Sequence, residues 1–332
     1  MAVATRVQPN KAQLGDVMAL QKPARSLWAD AWYRLLRNRF AVVGMAIIGL
    51  FALVAAFASL LAPESPLKIH DGMGFLPPAW VKQSSTGKAG DARFLLGTDT
   101  IGRDVLSRVL YGARVSMLVG LTPVAIIVIM GVAIGLFSGY RGGRLDNLLM
   151  RLTDVVWAFP EMLLYIILMV TLRDAWIGRL MNGLFLLFVA LAAVSWVGIA
   201  RLVRGSVLSL KEKEFIEAAR SIGISDVRIM LRHILPNTIG PIVVWVAFAV
   251  PRMIIAEATL GYLGLGLRPA SDPRSFFITS WGVLMLEGNT SINAQPWILL
   301  APSLCVGVIV LAFTFLGDGL RDALDPRMRG TQ

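Results

Sequence analysis

The chain is poor in the side chains that build metal centres and nucleophilic active sites. Its 332 residues include one cysteine, Cys305, and two histidines, His70 and His233, which lie far apart in the sequence. Because Cys305 falls within an apolar run, the sequence predicts no disulfide and no cysteine or histidine metal site. No nucleophile–base set emerges either, so the sequence predicts no catalytic residues.

Nucleotide-binding motifs are missing as well. Gly87 and Lys88 resemble the end of a phosphate-binding loop, but Lys82 and Ala89 stand where that motif has Gly and Ser or Thr. The glycines of GYLGLGL, residues 261–267, are not spaced as in a dinucleotide fingerprint, and they are predicted to allow close helix packing or a bend. We therefore expect no cofactor in this chain.

Apolar residues dominate the composition. They make up 56% of the chain, and the mean hydropathy is +0.68, which is unusually high for a soluble domain. Six apolar runs are each about long enough to cross a bilayer: residues 40–62, 115–139, 155–172, 180–200, 239–262 and 297–317. The alternating segments of a membrane β-barrel are absent. The sequence predicts an all-α integral membrane protein with six transmembrane helices, or five if the short third run or the charged fifth run does not span.

Positive charge is divided unevenly between the two sets of connecting segments. One set holds 20 of the 32 Lys and Arg residues and the other holds 11. The richer set is 1–39, 140–154, 201–238 and 318–332, and the poorer set is 63–114, 173–179 and 268–296. The positive-inside rule therefore predicts both termini in the cytoplasm. The net charge of +11 is interpreted as a topology signal and an attraction to anionic lipid, with no nucleic-acid partner.

The segment before the first apolar run has the pattern of an interfacial helix. Five of its residues share one helical face: Trp28, Ala31, Trp32, Leu35 and Leu36. We expect this helix to lie on the cytoplasmic leaflet, with a solvated basic tail as the alternative. Residues 1–24 show no clear period and are predicted to be disordered. No cleavable signal peptide is predicted, because the first apolar run starts only at Phe40.

A polar segment, Glu214–Asn237, lies between two apolar runs and reads EFIEAARSIGISDVRIMLRHILPN. Its pattern predicts two short amphipathic helices. Phe215, Ala219 and Ile222 line one side of the first helix. Gly223 supplies the left-handed residue that ends it.

The second helix of this segment is predicted to begin at Ser225, which can cap it, with Asp226 favourable in its first turn. Its apolar stripe comprises Val227, Met230, Leu231 and Ile234. Pro236 is predicted to end it. A compact pair of helices between membrane spans suits docking to a cytosolic protein, and an ordinary cytoplasmic loop is the alternative.

Small residues mark one face of the second apolar run. Gly131, Gly135 and Gly139 recur every four residues. Such a face lets a second helix approach closely. The neighbouring helix is predicted to belong either to this chain or to a partner.

Three charged residues fall in or beside the apolar runs. Arg252 and Glu257 lie in the fifth run, but a spacing of five residues does not suit an intrahelical pair. Glu161 lies at the cytoplasmic start of the third run and is predicted to be interfacial. Structural pairing or solvation is favoured over a proton relay, because few carboxylates and histidines lie at depth.

Glu217, Ala218 and Ala219, followed by Gly223 and then by Pro236, match the EAA signature of ABC-importer permeases. His233 stands where that signature has an aliphatic residue. Longer stretches resemble the C-type subunit of the dipeptide/oligopeptide/nickel permease family: Leu95–Met117, Gly139–Pro160, Ser195–Asn237 and Phe315–Arg327. The resemblance covers roughly residues 25–329.

The resemblance implies a type I ABC-importer permease fold with cytoplasmic coupling helices, in the bacterial cytoplasmic (inner) membrane. It implies a heterodimer with a B-type permease, two cytosolic ABC ATPase subunits that hold ATP and Mg²⁺, and an extracytoplasmic solute-binding protein. ATP hydrolysis is expected in those partners, so the chain is expected not to be an enzyme. Di- or oligopeptides are the expected solute, with nickel, glutathione and oligosaccharides as alternatives.

The resemblance also implies a contact with one ATPase. The predicted interface comprises Glu217, Ala218, Ala219, Gly223, Ser225, Asp226, Leu235 and Pro236. Glu217 would provide polar contacts, the two alanines close packing, and Gly223 the turn. A bulky residue at Gly223 is expected to uncouple ATP hydrolysis from uptake.

The predicted layout has five parts. They are a cytoplasmic tail with the interfacial helix (1–39), the first transmembrane helix (40–62), an extracytoplasmic loop (63–114), a five-helix core (115–320) that includes the coupling region 206–237, and a cytoplasmic tail (321–332). The end of the loop carries Asp99, Arg103, Asp104 and Arg108. The resemblance implies that it belongs to the extracytoplasmic surface near the binding protein, and a locally salt-bridged surface helix is the alternative account of these charges.

An ion-coupled secondary transporter is the alternative from a different class. Such a protein is expected to show inverted repeats and broken helices with ion ligands at the membrane midplane. The sequence shows no clear internal repeat and few buried acids. A membrane-embedded enzyme is disfavoured because no cluster of His, Asp, Glu or Cys marks a bilayer surface.

Overall fold

A computed structural model describes residues 27–270, 272 and 275–325. The segment 1–24 and most of the C-terminal tail therefore lie outside the described residues. Within the described part every regular element is helical, apart from an isolated β-bridge between Thr98 and Asp104. The predicted all-α fold class is confirmed.

The described helices follow one another along the chain with short connections, except for the loop 63–104 and the longer connection between residues 262 and 281. They are α1 (Leu27–Arg37), α2 (Arg39–Ala56), α3 (Ala58–Leu61), α4 (Val105–Arg141), α5 (Gly143–Trp157), α6 (Glu161–Leu172), α7 (Trp176–Arg179), α8 (Leu184–Leu210), α9 (Glu214–Ser221), α10 (Asp226–Ile229), α11 (Leu235–Tyr262), α12 (Trp281–Thr290) and α13 (Trp297–Leu324). A 3₁₀ turn (Leu180–Gly183) precedes α8, and a π turn (Met230–Ile234) joins α10 to α11.

Five helical segments of the described chain are long and apolar enough to cross a membrane. They are Arg39–Ala56, Val105–Arg141, Trp176–Leu210, Asp226–Tyr262 and Trp297–Leu324. A sixth crossing would consist of α5 and α6 together, which meet at an angle of 83°. Pro160 lies at this bend and accounts for it, because the proline ring disfavours helical backbone at the residue before it. The uncertain third run of the sequence is therefore a broken helix.

The second span begins earlier than its apolar run. The run was predicted to start at residue 115, whereas α4 begins at Val105 and is capped by Asp104, whose side chain accepts a hydrogen bond from the backbone N–H of Ser107 at 2.8 Å. Arg108 and Arg114 interrupt the apolar pattern of this stretch, but both are buried within the protein. The predicted boundary at 114 is wrong for this reason. The last helix likewise continues past residue 320, to Leu324.

The centre of the bundle is the contact between α4 and α8. A Cβ atom on Gly135 would lie 2.6 Å from the carbonyl oxygen of Ala200 and 2.8 Å from Cβ of Val203. Gly131 and Gly139 meet α8 in the same way, one turn to either side. The neighbour of the glycine face is therefore a helix of this chain.

The face predicted for the N-terminal helix is divided in the structure. Ala31 and Leu35 of α1 are buried in a small cluster with Ala41 and Ala323, so α1 packs on the end of α13. The remaining members of the face are exposed: Trp28, Trp32 and Leu36. Burial against α13 thus orients the helix and leaves its larger apolar side chains outward.

Candidate functional site

The segment 214–237 lies at one end of the bundle, and its first helix buries a side different from the one predicted. Ile216 and Ala219 of α9 face the core, at 0% and 5% exposure. Phe215 and Ile222, which were predicted to line one side with Ala219, are 44% and 78% exposed. Only Ala219 of that predicted trio is therefore buried.

The second predicted helix is divided in the same way. Met230 and Ile234 of its predicted stripe are buried together with Ile229. Val227 and Leu231 are exposed. Together with the first helix, the segment carries four exposed apolar side chains: Phe215, Ile222, Val227 and Leu231. Large apolar groups exposed on one short segment are typical of a protein-interaction site.

The prediction that Pro236 ends the second helix is wrong. The chain continues from α10 through the π turn into α11, and Pro236 lies in the first turn of α11. Proline is accommodated there because the first turn of a helix leaves its backbone N–H groups unpaired, so the N–H that proline lacks is not needed. The preceding π turn shifts the backbone hydrogen-bond register at this point. The segment is therefore joined without a loop to a helix that crosses the bundle.

The structure exposes most of the predicted interface residues. Glu217, Ala218, Gly223, Ser225, Asp226 and Pro236 are exposed, Leu235 is half-buried and Ala219 is buried. Gly223 has φ +79°, as a left-handed turn requires, and a Cβ there would meet open space. Ser225 occupies the position before α10, but its side chain makes no capping hydrogen bond.

Tyr140 connects this segment to the last turn of α4. Its hydroxyl donates a hydrogen bond to Oδ1 of Asp226 at 2.8 Å. The guanidinium of Arg220 lies over its ring, 5.3 Å from the centroid. Lys211 Nζ adds a hydrogen bond to the carbonyl oxygen of Gly139 at 3.3 Å. Sequence reasoning did not single out Tyr140, because nothing local in the chain relates it to residue 226.

Helix α5 is held on α8 by a second group of charged contacts. Arg204 donates two hydrogen bonds to the carboxylate of Asp146, at 2.6 and 2.7 Å. Arg201 bonds Asp154 at 2.6 Å, and its guanidinium lies 4.0 Å from the ring centroid of Trp157. These contacts attach α5 to the same end of α8 from which the segment 214–237 continues.

A cavity of about 530 Å³ opens beside the bend between α5 and α6. Its walls come from the bend, from α8 and from α11. Glu161 lies in one wall, where its Oε1 accepts hydrogen bonds from the hydroxyls of Tyr165 and Ser195, the latter at 2.6 Å. The sequence predicted an interfacial Glu161, and the structure adds two hydroxyl groups that orient its carboxylate.

Arg252 also lines this cavity, from α11. Its side chain is exposed, and no hydrogen bond or ion pair joins it to any other described residue. A second cavity of about 610 Å³ also includes Arg252 and continues along α11 towards Asn237 and Arg321. A charged side chain at this position in a membrane span belongs in a bundle interior or a water-filled path.

Glu257, one turn further along α11, has a different environment. It is fully buried, and its Oε2 accepts a hydrogen bond from Ser116 on α4 at 2.9 Å. The same Ser116 hydroxyl accepts a hydrogen bond from the backbone N–H of Trp281 at 3.2 Å. Glu257 thus links three helices and is separate from Arg252, as their spacing predicted.

At the other end of the bundle, charged residues attach the loop 63–104 to α12. Asp99 accepts hydrogen bonds from Arg103 and Arg108, at 2.6 and 2.7 Å. Both arginines also contact the carboxylate of Glu287 on α12. Residues 97–103 form no helix, and Arg108 lies in the buried first turn of α4. The charges therefore form a network between distant parts of the chain rather than a surface helix.

Comparison with known proteins agrees with these features. The profile of the family described as "Binding-protein-dependent transport system inner membrane component" matches residues 131–330, and that of the "N-terminal TM domain of oligopeptide transport permease C" matches residues 26–78. Among curated proteins, the oligopeptide transport system permease protein OppC of Escherichia coli (strain K12) is 40% identical over 93% of this chain and 94% of that protein.

Two relatives from Bacillus subtilis (strain 168) are similar over nearly the whole chain. Its OppC is 37% identical, over 97% of each protein. Its dipeptide transport system permease protein DppC is 36% identical, over 96% of this chain and 92% of that protein.

A solved structure supports the fold independently. A chain of the MetNI methionine ABC transporter in an inward-facing conformation matches with a TM-score of 0.52 and 16% identity, over 66% of this chain and 97% of that chain. At that identity the likeness concerns the fold alone. The protein is a multi-pass transport permease rather than an enzyme, and it belongs to the family of binding-protein-dependent transport system inner membrane components.

Proposed function

We propose that the chain is the C-type permease subunit of an ATP-driven importer of di- or oligopeptides. The observation that carries this proposal is the identity of 36–40% to oligopeptide and dipeptide permeases over nearly the full length. The charge bias supports a topology with both termini in the cytoplasm, in the bacterial cytoplasmic (inner) membrane. The solute would be delivered by an extracytoplasmic binding protein.

The proposed assembly contains a B-type permease and two cytosolic ABC ATPases, which would hold ATP and Mg²⁺. The surface proposed to contact one ATPase consists of the interface residues named above and the four exposed apolar side chains of the segment 214–237. Ile216 and Ile229 anchor this segment in the permease at 0% exposure. An anchored segment with exposed apolar groups is suited to receive a rigid partner.

Two connections would carry movement from this surface into the membrane. The first is the uninterrupted path from α10 into α11. The second is the hydrogen bond between Tyr140 and Asp226, which reaches α4. ATP-driven closure of the ATPases would move both helices and shift the permease between inward- and outward-open states. ATP must stabilise one of these states more than the other for transport to follow.

Co-purification and uptake test the proposal together. The chain is purified in mild detergent from its native membrane, and its partners are identified by mass spectrometry. Proteoliposomes that contain the recovered complex are expected to accumulate labelled peptide with ATP and without an ion gradient. Uptake that requires an ion gradient, or a chain that purifies alone even after cross-linking, would contradict the proposal and favour a secondary transporter.

A charge on the exposed apolar face tests the ATPase contact. Ile222→Asp is expected to lose the ATPases during purification while the B-type permease is retained. Ile69→Asp is the matched control, because Ile69 is also exposed but lies in the loop at the other end. Loss of the ATPases from both variants, or from neither, would contradict this assignment.

The turn at Gly223 has a sharper test than bulk alone. Because space is open there and φ is positive, strain is expected from Gly223→Val, whereas Gly223→Asn tolerates the left-handed conformation. The valine variant should hydrolyse ATP with reduced uptake, and the asparagine variant should resemble the parent. Equal uptake in all three proteins would show that the turn does not contribute to coupling.

Tyr140→Phe removes only the hydroxyl that bonds Asp226. We expect the ATPases to remain bound and ATP hydrolysis to continue, with severalfold less peptide transported per ATP. Tyr262→Phe at the far end of α11 is the control, because no hydrogen bond joins its hydroxyl to another described residue. A Tyr140→Phe complex with unchanged peptide-to-ATP ratio would refute the role of this contact.

A further inference from the structure

We propose that the cavity between the α5–α6 bend, α8 and α11 is a subsite for the two charged ends of a peptide in transit. In this subsite Glu161 binds the α-ammonium group and Arg252 binds the α-carboxylate. The inference rests on the proposed function and deepens it, because it names residues of the permease itself that contact the solute.

The position of Arg252 is the first argument. It belongs to a face of α11 that the rest of the described chain leaves uncovered and that also includes Asn237, Pro241 and Ile255. These residues are spaced so that they share one side of a helix. A guanidinium within a membrane span is costly to place against lipid, so this side is expected to face water or a polar ligand. The side chain reaches towards the N-terminal end of α11, into the second cavity as well as the first.

The orientation of Glu161 is the second argument. Both hydroxyl groups that contact its carboxylate, from Tyr165 and Ser195, bond to Oε1. Tyr165 is 2% exposed, so its ring is fixed in the core and its hydroxyl holds the carboxylate in place. No hydrogen bond from a described residue reaches Oε2. The remaining oxygen of an oriented carboxylate is a suitable acceptor for an ammonium group.

The other cation of the cavity is already occupied. Arg201 bonds Asp154 and stacks on Trp157. Arg252 is therefore the guanidinium that can engage a free carboxylate in this cavity. A guanidinium also matches a carboxylate in a two-bond geometry, which a solvated lysine does not.

The size and lining of the cavity suit a peptide. A volume of about 530 Å³ is within the usual range for small-molecule sites. Trp157, Phe159 and Trp245 contribute apolar area that accommodates varied side chains. Every unmodified peptide carries an ammonium and a carboxylate at its ends, so contacts to these groups do not depend on sequence. Contacts of this kind also allow release, which a transport path requires.

Uptake of end-blocked peptides tests the subsite. Complete importers with their binding protein are reconstituted, and ATP-dependent uptake is measured at saturating trialanine, its C-terminal amide and its N-acetyl form. For each variant, the ratio of free-peptide uptake to blocked-peptide uptake is compared with the same ratio for the parent. The preference of the binding protein cancels in this comparison, because every reconstitution contains the same binding protein. Arg252→Gln is expected to lower uptake of free trialanine about tenfold, as for loss of one charge-assisted hydrogen bond, and to leave the amide nearly unchanged.

Matched variants separate recognition from structure. Arg252→Lys keeps the charge and should restore part of the preference for the free carboxylate. Glu161→Gln should reduce the preference for a free ammonium group and leave the carboxylate preference intact. Arg201→Gln removes an arginine from the same cavity and should change neither ratio. If Arg252→Gln does not assemble, the lysine and Glu161→Gln variants still test the subsite.

Two results would overturn the inference. In one, Arg252→Gln lowers uptake of the C-terminal amide as much as that of free trialanine, or Glu161→Gln lowers uptake of the N-acetyl form as much as that of free trialanine, which would indicate a structural role. In the other, the uptake ratios of Arg252→Gln and Glu161→Gln stay at the parental value, or Arg201→Gln changes the ratios as much as those two variants do. A parent complex that takes up none of the three peptides with ATP would instead refute the proposed function, so the two failures are distinguishable.

Discussion

Replacing Arg108 with methionine is expected to loosen the loop 63–104 while the helices stay packed. The guanidinium of Arg108 is almost wholly buried, with 4% of the side chain exposed. Its Nη1 bonds Asp99, whose side chain is 1% exposed, at 2.7 Å, and its Nη1 and Nη2 bond the carboxylate of Glu287 on α12. Methionine has a similar length and no charge, so the substitution removes these bonds without opening a large cavity.

The size of the effect follows from what Asp99 retains. Removing one partner of a buried ion pair costs about 3–5 kcal/mol. Asp99 still accepts hydrogen bonds from the backbone N–H groups of Ile101 and Arg103 and from the Arg103 guanidinium at 2.6 Å. Glu287 is 30% exposed and regains water. We therefore expect a loss of roughly 2–3 kcal/mol in the free energy of local opening, which corresponds to about 30- to 150-fold faster amide exchange.

Hydrogen exchange with mass spectrometry on the full chain in detergent measures this change. The faster exchange should be confined to residues 97–104 and the last turn of α12, which holds Glu287. Arg93→Met is the control, because its pair with Asp91 lies in the same loop but on the surface, where ion pairs contribute little. Equal exchange in Arg108→Met and the parent, or an equal increase in Arg93→Met, would refute the reasoning.

Two further predictions concern packing and pH. Gly135→Leu should destabilise the protein by about 1–3 kcal/mol, because the larger side chain overpacks the α4–α8 contact, and the thermal midpoint should fall. Gly205→Leu on α8 is the control: its side chain meets open space, so the midpoint should stay at the parental value. Equal midpoints in the two variants would contradict the close approach of α4 and α8. Partial burial acts to raise the pKa of Glu64, but hydrogen bonds from His70 and Lys68 outweigh it, so the pKa lies below its usual 4.5. A lowered carboxyl pKa stabilises the loop above pH 4.5 and ceases to do so as the pH falls through the folded-state value. Exchange corrected for its intrinsic pH dependence should therefore rise below pH 4.5 in the parent but stay flat in Glu64→Gln.

Local pattern was sufficient for much of the fold. Length and hydropathy identified the apolar helices, because a bilayer-spanning helix must be both long and apolar. The four-residue period of Gly131, Gly135 and Gly139 predicted a close helix contact, and the positive φ of Gly223 follows the expected turn. These features depend on residues that are neighbours in sequence, so the sequence alone can indicate them.

Burial could not be predicted in the same way. In the segment 214–237, Phe215 and Ile216 are adjacent and equally apolar, and only contact with the rest of the bundle decides that Ile216 is buried. The start of α4 was misplaced because Arg108 looks polar in sequence, whereas its partner Glu287 is 179 residues away. Charge in a sequence does not reveal whether a distant group will neutralise it.

The amino-acid sequence alone decided the all-α membrane class, the approximate spans and the family, since these follow from local hydropathy and from motifs of fixed spacing. The tertiary structure decided which helix meets the glycine face, that Tyr140 bonds Asp226, and that Glu161 and Arg252 face one cavity. Each of these contacts joins residues from different helices. Their proximity arises only when the helices pack, because packing brings together side chains that no local pattern relates.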